Sequence, residues 1–269
     1  MNIVVLVKIV PDIEKVTFNV ENGTVNRASA PQEINPFDLN ALEEAVKIKE
    51  EAGGRVTVVC MGPPEAKEAL KDALARGADR AVLLSDKKLA GSDTLATSYA
   101  LSCAIKKLGE FDLILCGEKT TDGDTGQVGA ETAEHLGIPH AYYVSRLSIE
   151  GKNAVVHSEM ENRLLVMEFP LPMLVSVTKD INAPRLPSLK SKLASRKKEV
   201  EVWSAADLGA DETKLGFPGS PTMVYKVTFP TEEGRKGLIF KDTTEGIKEI
   251  AKALAPFKNN TFCSINLID

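Results

Sequence analysis

The chain has 269 residues, of which 43% are hydrophobic and 26% charged. These are the proportions of a globular protein with room for one large domain, or one domain plus an appendage. The net charge of −5 gives no support to nucleic-acid binding, and no apolar run approaches the roughly 20 residues that span a bilayer.

The N-terminal run Met1-Asn-Ile-Val-Val-Leu-Val-Lys8 lacks the basic n-region and small-residue cleavage site of a signal peptide. It reads as a first buried strand over 2–8, with a cytosolic address as the expectation. Residues 36–51 carry Leu39, Leu42 and Val46 at helical spacing. Asn35 is placed as N-cap, Pro36 as first helical residue and Asp38 near the positive helix end, with Gly53-Gly54 as the stop. Strands follow at 55–60, 80–84 and 111–116, and helices at 65–76, 93–108 and 128–136. A fifth strand is read at 140–144. Strands alternating with helices predict an α/β fold, a doubly wound, Rossmann-like, mostly parallel sheet with helices on both faces.

From residue 145 the pattern changes. Residues 144–149 and 154–156 alternate around Gly151 as a hairpin does, and 163–169 and 172–178 are further strands, so antiparallel strands are expected to extend the sheet. Residues 181–198 hold Pro184, Pro187, three leucines (Leu186, Leu189, Leu193) and six basic residues. A run of this kind ordinarily forms a solvated amphipathic helix. The alternative is a docking element, with leucine as anchor and basic residues as rim. Residues 200–269 look weakly packed, with a turn-rich linker at 216–221, a lone strand at 224–229 and a helix at 244–254. Such a tail either wraps back or lies on a partner chain. The expected organisation is a nucleotide-binding domain over 1–200 and a C-terminal arm over 201–269.

The chemistry-bearing segment is Cys116 to Gly137. Gly117, Gly123, Gly126 and Gly129 stand with Thr120, Thr121, Asp122, Asp124, Thr125 and Gln127 between a strand and a helix. Glycines let the backbone approach a ligand, and the free N–H groups of a helix's first turn attract an anion. The spacing is neither G-x-G-x-x-G nor a Walker motif, so a phosphate cradle and a polar loop whose glycines only serve turns both remain open. The loops 8–12, 60–64, 85–94 and 116–129 all leave the carboxyl edge of the expected sheet, where such folds bind ligands, and together they favour a nucleotide. Cys60, Cys103, Cys116 and Cys263 are scattered and His135, His140 and His157 form no ligand pattern, so neither a disulfide framework nor a metal site is expected.

Several segments together resemble the small (beta) subunit of an electron-transfer flavoprotein. They are Val5-Leu-Val-Lys8 with Pro11-Asp12, Ile34-Asn-Pro-Phe-Asp-Leu-Asn-Ala-Leu-Glu-Glu-Ala45, Gly62-Pro-Pro64, residues 69–78, Ser92-Asp-Thr94, Asp122-Gly-Asp-Thr-Gly-Gln-Val-Gly129 and Pro184-Arg-Leu-Pro-Ser-Leu189. The Met-Gly-Pro-Pro and Asp-Gly-Asp-Thr-x-Gln-Val-Gly forms resemble the electron-bifurcating branch, although Thr120-Thr121 and Ala130 depart from its usual residues. The resemblance implies FAD in this subunit, with AMP as the alternative known from other branches. Asp122, Thr125, Gly126, Gln127, Val128 and Gly129, with Gly117 at the loop's start, would be the pyrophosphate cradle. Asp93, Thr94 and Thr97 would add polar groups from a helix start, and Lys8, Pro11, Cys60 and Met61 would line the adenosine or flavin side.

The resemblance also implies no acid–base residues on this chain. NADH would be a transient hydride donor to the FAD. One electron would pass to a second FAD in the alpha subunit and on to an FAD-containing dehydrogenase of the acyl-CoA or 2-hydroxy acid type, and the other to ferredoxin or flavodoxin. Residues 181–198 become the recognition loop, with Leu189 as anchor, Leu193 beside it and Lys190, Lys192 and Arg196 around it. The arm 201–269 would pack on the alpha subunit. Two other readings stand beside this one: a non-bifurcating subunit with structural AMP, and a nucleotide-binding regulatory domain of similar build.

Overall fold

The computed structural model describes residues 1–12, 17–19, 24–26, 31–223, 240 and 242–255, of which 17–19 and 24–26 by backbone alone. In chain order the elements begin with β1 (Asn2–Val7), β2 (Ile9–Pro11), β3 (Thr17–Asn19), β4 (Thr24–Asn26), β5 (Gln32–Ile34), α1 (Pro36–Ala52), β6 (Arg55–Met61), α2 (Ala66–Arg76), β7 (Arg80–Leu84), α3 (Thr94–Leu108), β8 (Leu113–Gly117) and α4 (Val128–Leu136). They continue with β9 (His140–Glu150), β10 (Asn153–Met160), β11 (Arg163–Pro170), β12 (Met173–Val177), α5 (Leu189–Ser195), β13 (Glu201–Trp203) and α6 (Thr243–Leu254). Close packing divides the chain into Met1–Tyr225 and Lys226–Asp269.

A 9-stranded sheet runs in the order β11-β10-β9-β12-β8-β1-β6-β7-β13. From β9 to β13 every neighbouring pair is parallel, and only the β9–β10 and β10–β11 pairs are antiparallel. β1, β6, β7, β8 and β12 are near-continuous apolar runs because both their faces are covered. On one face α1 and α2 close a core around Ile3, Val5, Val58, Leu70 and Leu115. On the other, α3 and α4 close a core around Val4, Val59, Leu84, Ile105 and Leu174. The expected α/β fold with a mostly parallel sheet is the observed one. Among the described residues, no helix is long and apolar enough to cross a membrane.

Four local differences have physical causes. The separately read strands 140–144 and 144–149 are one strand, β9, which bends at Tyr143, where φ is +53° and the pairing register shifts. β12 is not an antiparallel addition but returns to the parallel sheet between β9 and β8. Only 189–195 of the 181–198 segment is helical, because Pro184 and Pro187 hold the residues before them extended. Finally, residues 200–223 are well packed: β13 pairs with β7 and Val200, Trp203, Ala205, Leu208 and Leu215 are buried. These apolar residues are too widely spaced to form a periodic pattern, which is why the segment looks weakly packed in the sequence. The strand read at 224–229 lies outside the described residues.

Candidate nucleotide site and docking segment

The chain runs from β1 through β6 to β7 on one side, then returns to β8 on the other side of β1. The connections after β1 and β8 therefore diverge onto opposite faces and leave a crevice at their carboxyl ends, the place where doubly wound folds bind ligands. The start of α1 fastens the two sides together. Asp38, fully enclosed, accepts the backbone N–H of Lys8 at 2.8 Å and that of Gly117 at 3.0 Å. Burial pushes its pKa up to about 7, against the pull of those same N–H groups. Asn35 makes no side-chain cap. Its amide donates instead to Lys119 O at 2.9 Å and its carbonyl accepts Thr121 N–H at 3.2 Å, so it organises the glycine loop.

Across the crevice Lys8 Nζ meets Asp122 at 2.7 Å. The loop turns through two left-handed residues, Asp124 at φ +53° and Gly126 at φ +63°. Gly123 is exposed, and a Cβ there would make only ordinary van der Waals contact, at 3.6 Å from Thr120 Oγ1 and 3.9 Å from Lys8 Nζ. Gly129 does the opposite and faces the sheet, where a Cβ would lie 2.8 Å from Cys116 Sγ and 2.9 Å from the Tyr142 hydroxyl. That glycine sets the approach of α4 to β8 and β12. The Tyr142 hydroxyl accepts the Ala130 N–H at 3.0 Å, completing the first turn of α4, whose N-cap Gln127 makes no side-chain cap. Among the described residues, the Val128 and Gly129 N–H groups at the start of α4 have no hydrogen-bond partner.

The sequence-predicted residues divide into groups. Lys8 meets Asp122 and is tied to Gly117 through Asp38; Gly126 and Gln127 follow on the same loop, with Thr125 exposed and Val128 at the helix start. Thr94 reaches the same helix start, where its hydroxyl meets Glu131 at 3.1 Å and Gln127 at 3.5 Å. Asp93 caps α3 through Ala96 N–H and also holds Thr222, so its carboxylate is already engaged by protein. Thr97 is half-buried one turn on, and Pro11 sits in β2 opposite Gln32. Met61 is half-buried at the end of β6, whereas the Cys60 side chain is wholly inside the core, where burial pushes its thiol up to about 12. Asn35, Asp38 and Tyr142 were not read as site residues. The first two stood in the helix-start motif and were explained by it; Tyr142 carried no local signal.

The segment before α5 is strapped to α1. Asn40 Nδ2 donates to Lys179 O at 3.2 Å and Asn182 O at 2.9 Å, and Asn182 donates back to Asn40 O at 3.0 Å. Arg185 pairs with Glu43 at 2.9 Å and Glu50 at 2.6 Å. Burial opposes the charge on Glu43, but the guanidinium and the N–H of Arg185 outweigh it and hold the carboxyl below its usual range. Beyond this strap Leu186, Leu189 and Leu193 stand 87%, 75% and 51% exposed, flanked by Lys190, Lys192 and Arg196. Ser188 starts α5 by accepting Ser191 N–H at 3.1 Å.

Residues 22–208 match the electron transfer flavoprotein domain. The electron transfer flavoprotein subunit beta of Thermoanaerobacterium thermosaccharolyticum is 45% identical over 97% of this chain and 98% of its own length.

The chain belongs to the electron transfer flavoprotein family.

The subunit beta of Clostridium acetobutylicum is 43% identical over 94% of this chain and 98% of its own. The caffeyl-CoA reductase–Etf complex subunit CarD of Acetobacterium woodii is 40% identical over 94% and 96%. The chain is thus an electron transfer flavoprotein beta subunit, a kind that pairs with an alpha subunit. The family implies a flavin or AMP-type cofactor, and the crevice offers what such a group requires. It has two unpartnered amides at the start of α4, an exposed glycine loop and a lysine on that loop's Asp122.

Proposed function

We propose that the crevice between β1 and β8 holds FAD, and that this beta subunit takes hydride from NADH. Electrons then leave in two directions, to the alpha subunit and an FAD-containing dehydrogenase, and to ferredoxin or flavodoxin. The observation that carries the reading is the pair of unpartnered N–H groups of Val128 and Gly129 at the start of α4, beside the topological switch point, with Lys8 held on Asp122 of the loop that leads into that helix. A pyrophosphate there meets backbone N–H groups and the positive end of the helix. FAD, when bound, supplies hydride acceptance and one-electron delivery, while the protein supplies position and electrostatics.

The chain's own groups have definable tasks. Asp38 and Asn35 hold the two sides of the crevice in register through backbone N–H and C=O groups. Gly126 gives the loop its left-handed turn. Lys8 neutralises Asp122 and, with phosphate present, shares its charge with the ligand. Leu189 is the docking anchor, presented by the strap on α1, for a dehydrogenase of the acyl-CoA or 2-hydroxy acid type. Similarity to a caffeyl-CoA reductase–Etf complex subunit supports the acyl-CoA type. The apolar stripe of α6, with Ile247, Ile250 and Leu254 exposed, belongs to the arm that packs on the alpha subunit.

The test is anaerobic mixing of the alpha–beta heterodimer with NADH in the absence of any dehydrogenase. Bleaching of the flavin absorbance by NADH supports the reading. A flavin that NADH leaves oxidised confines the subunit to single-electron carriage.

A further inference from the structure

The exposed leucines carry a question that exposure alone does not answer: what keeps them in place. An isolated seven-residue helix has little stability in water, and α5 is a helix of 7 residues preceded by an extended segment containing two prolines. In an extended chain neighbouring side chains point to opposite sides. Arg185 points onto α1, and Leu186 beside it is 87% exposed.

Arg185 is held more tightly than any surface ion pair needs. Its Nε and Nη2 donate to the two oxygens of Glu43 at 2.9 and 3.1 Å. Its Nη1 and Nη2 donate to Glu50 at 2.6 and 2.9 Å, and its backbone N–H donates to Glu43 at 3.0 Å. Its carbonyl accepts Arg76 Nη1 from α2 at 2.6 Å. Glu43 is only 6% exposed, so its charge depends on this partner. The planar fork of arginine meets two carboxylates at once, which a lysine ammonium cannot do.

We propose that Arg185 is a positioning residue for docking: its fork on Glu43 and Glu50 fixes residues 179–188 on α1, so that Leu189 stands in one place before the dehydrogenase arrives. This rests on the reading of Leu189 as the docking anchor. A segment ordered in advance gives up less freedom on binding, so its loss weakens association and leaves the step within the complex unchanged. The clamp belongs to the same helix whose first turn holds the nucleotide loops, so α1 is a common strut for both sites.

The experiment uses the alpha–beta heterodimer and two FAD-containing acceptors in turn, an acyl-CoA dehydrogenase and a 2-hydroxy acid dehydrogenase. Arg185→Met removes the fork; Arg185→Lys keeps the charge without it and covers the case in which the methionine variant fails to fold. Leu189→Ala is measured beside them. For the acceptor that Leu189→Ala affects, both Arg185 variants raise the acceptor KM by on the order of tenfold at unchanged kcat, the lysine variant less than the methionine. Amide hydrogen exchange at residues 185, 191 and 192 quickens by a similar factor, while exchange at Val4 to Leu6 in the central strand stays as in the wild type.

If Leu189→Ala raises KM and the Arg185 variants do not, docking stands and the clamp is overturned. Equal acceleration in the central strand also overturns it, because the effect is then global unfolding. If Leu189→Ala changes transfer to neither acceptor, the docking reading falls and leaves Arg185 nothing to position.

Discussion

Asp38 is the residue on which the crevice most depends. A carboxyl with both oxygens on backbone N–H groups joins the ends of two strands that no hydrogen-bond ladder joins at that point. Its pKa in the folded chain is about 7 against an ordinary 3.8. Between these values the folded state keeps a proton that the unfolded state releases. Stability from this group is therefore fully present below pH 3.8 and declines as pH rises toward 7. Asp38→Asn keeps one acceptor and turns an N–H donor toward a backbone N–H, a change that costs about 1–3 kcal/mol. The wild type is accordingly the more stable at pH 5, and its lead shrinks by pH 8; urea unfolding at both values measures this, and a lead constant with pH contradicts it. Gly129 acts through packing. Gly129→Ala costs about 1–3 kcal/mol and lowers nucleotide content, because α4 is pushed off the sheet. Adding Cys116→Ala makes room at the sulfur, 2.8 Å from the new Cβ, and recovers part of both losses. No recovery of thermal stability in the double variant would remove packing as the cause.

At the scale of elements, α1 and the strands were legible because each has a pattern of its own. α1 ends where Gly53 reaches φ +73°, and the buried runs of β1, β6, β7 and β8 match the stretches read as strands. The strap before α5 was not legible. Its order comes from Asn40, Glu43 and Glu50, more than a hundred residues away in sequence, and no local period records such pairings. β13 escaped for a similar reason: three residues reveal a strand only once β7 is beside them. α6 has a clear signature, with Asp242 capping Thr244 and Glu245 N–H at 2.8 and 3.0 Å and Ile247, Ile250 and Leu254 exposed on one face. Ile250→Glu should weaken association with the alpha subunit at least tenfold and leave the melting temperature of the isolated beta chain within a degree or so, since an exposed residue contributes little to folding. Sedimentation of the mixed subunits gives the first value and calorimetry the second. Unchanged association would take α6 out of the subunit interface.

For the whole molecule, the doubly wound sheet fixes where a ligand belongs and the family fixes its general kind. The strand–helix alternation in the sequence was enough to place the four loops on one edge. It did not show that the crossing from β7 to β8 puts the crevice beside β1, because strand order depends on long-range pairing. Within the site, the glycine loop was visible from composition, but the facing of its glycines was not: Gly123 is exposed beside Thr120 and Lys8, and Gly129 faces the core. The central claim is that this crevice holds a dinucleotide able to take hydride. The most direct measurement is to purify the alpha–beta heterodimer, denature it and identify the released nucleotides by chromatography. The account predicts two FAD per heterodimer. One FAD with one AMP would contradict it, leaving the same fold and docking segment on a subunit without hydride chemistry of its own.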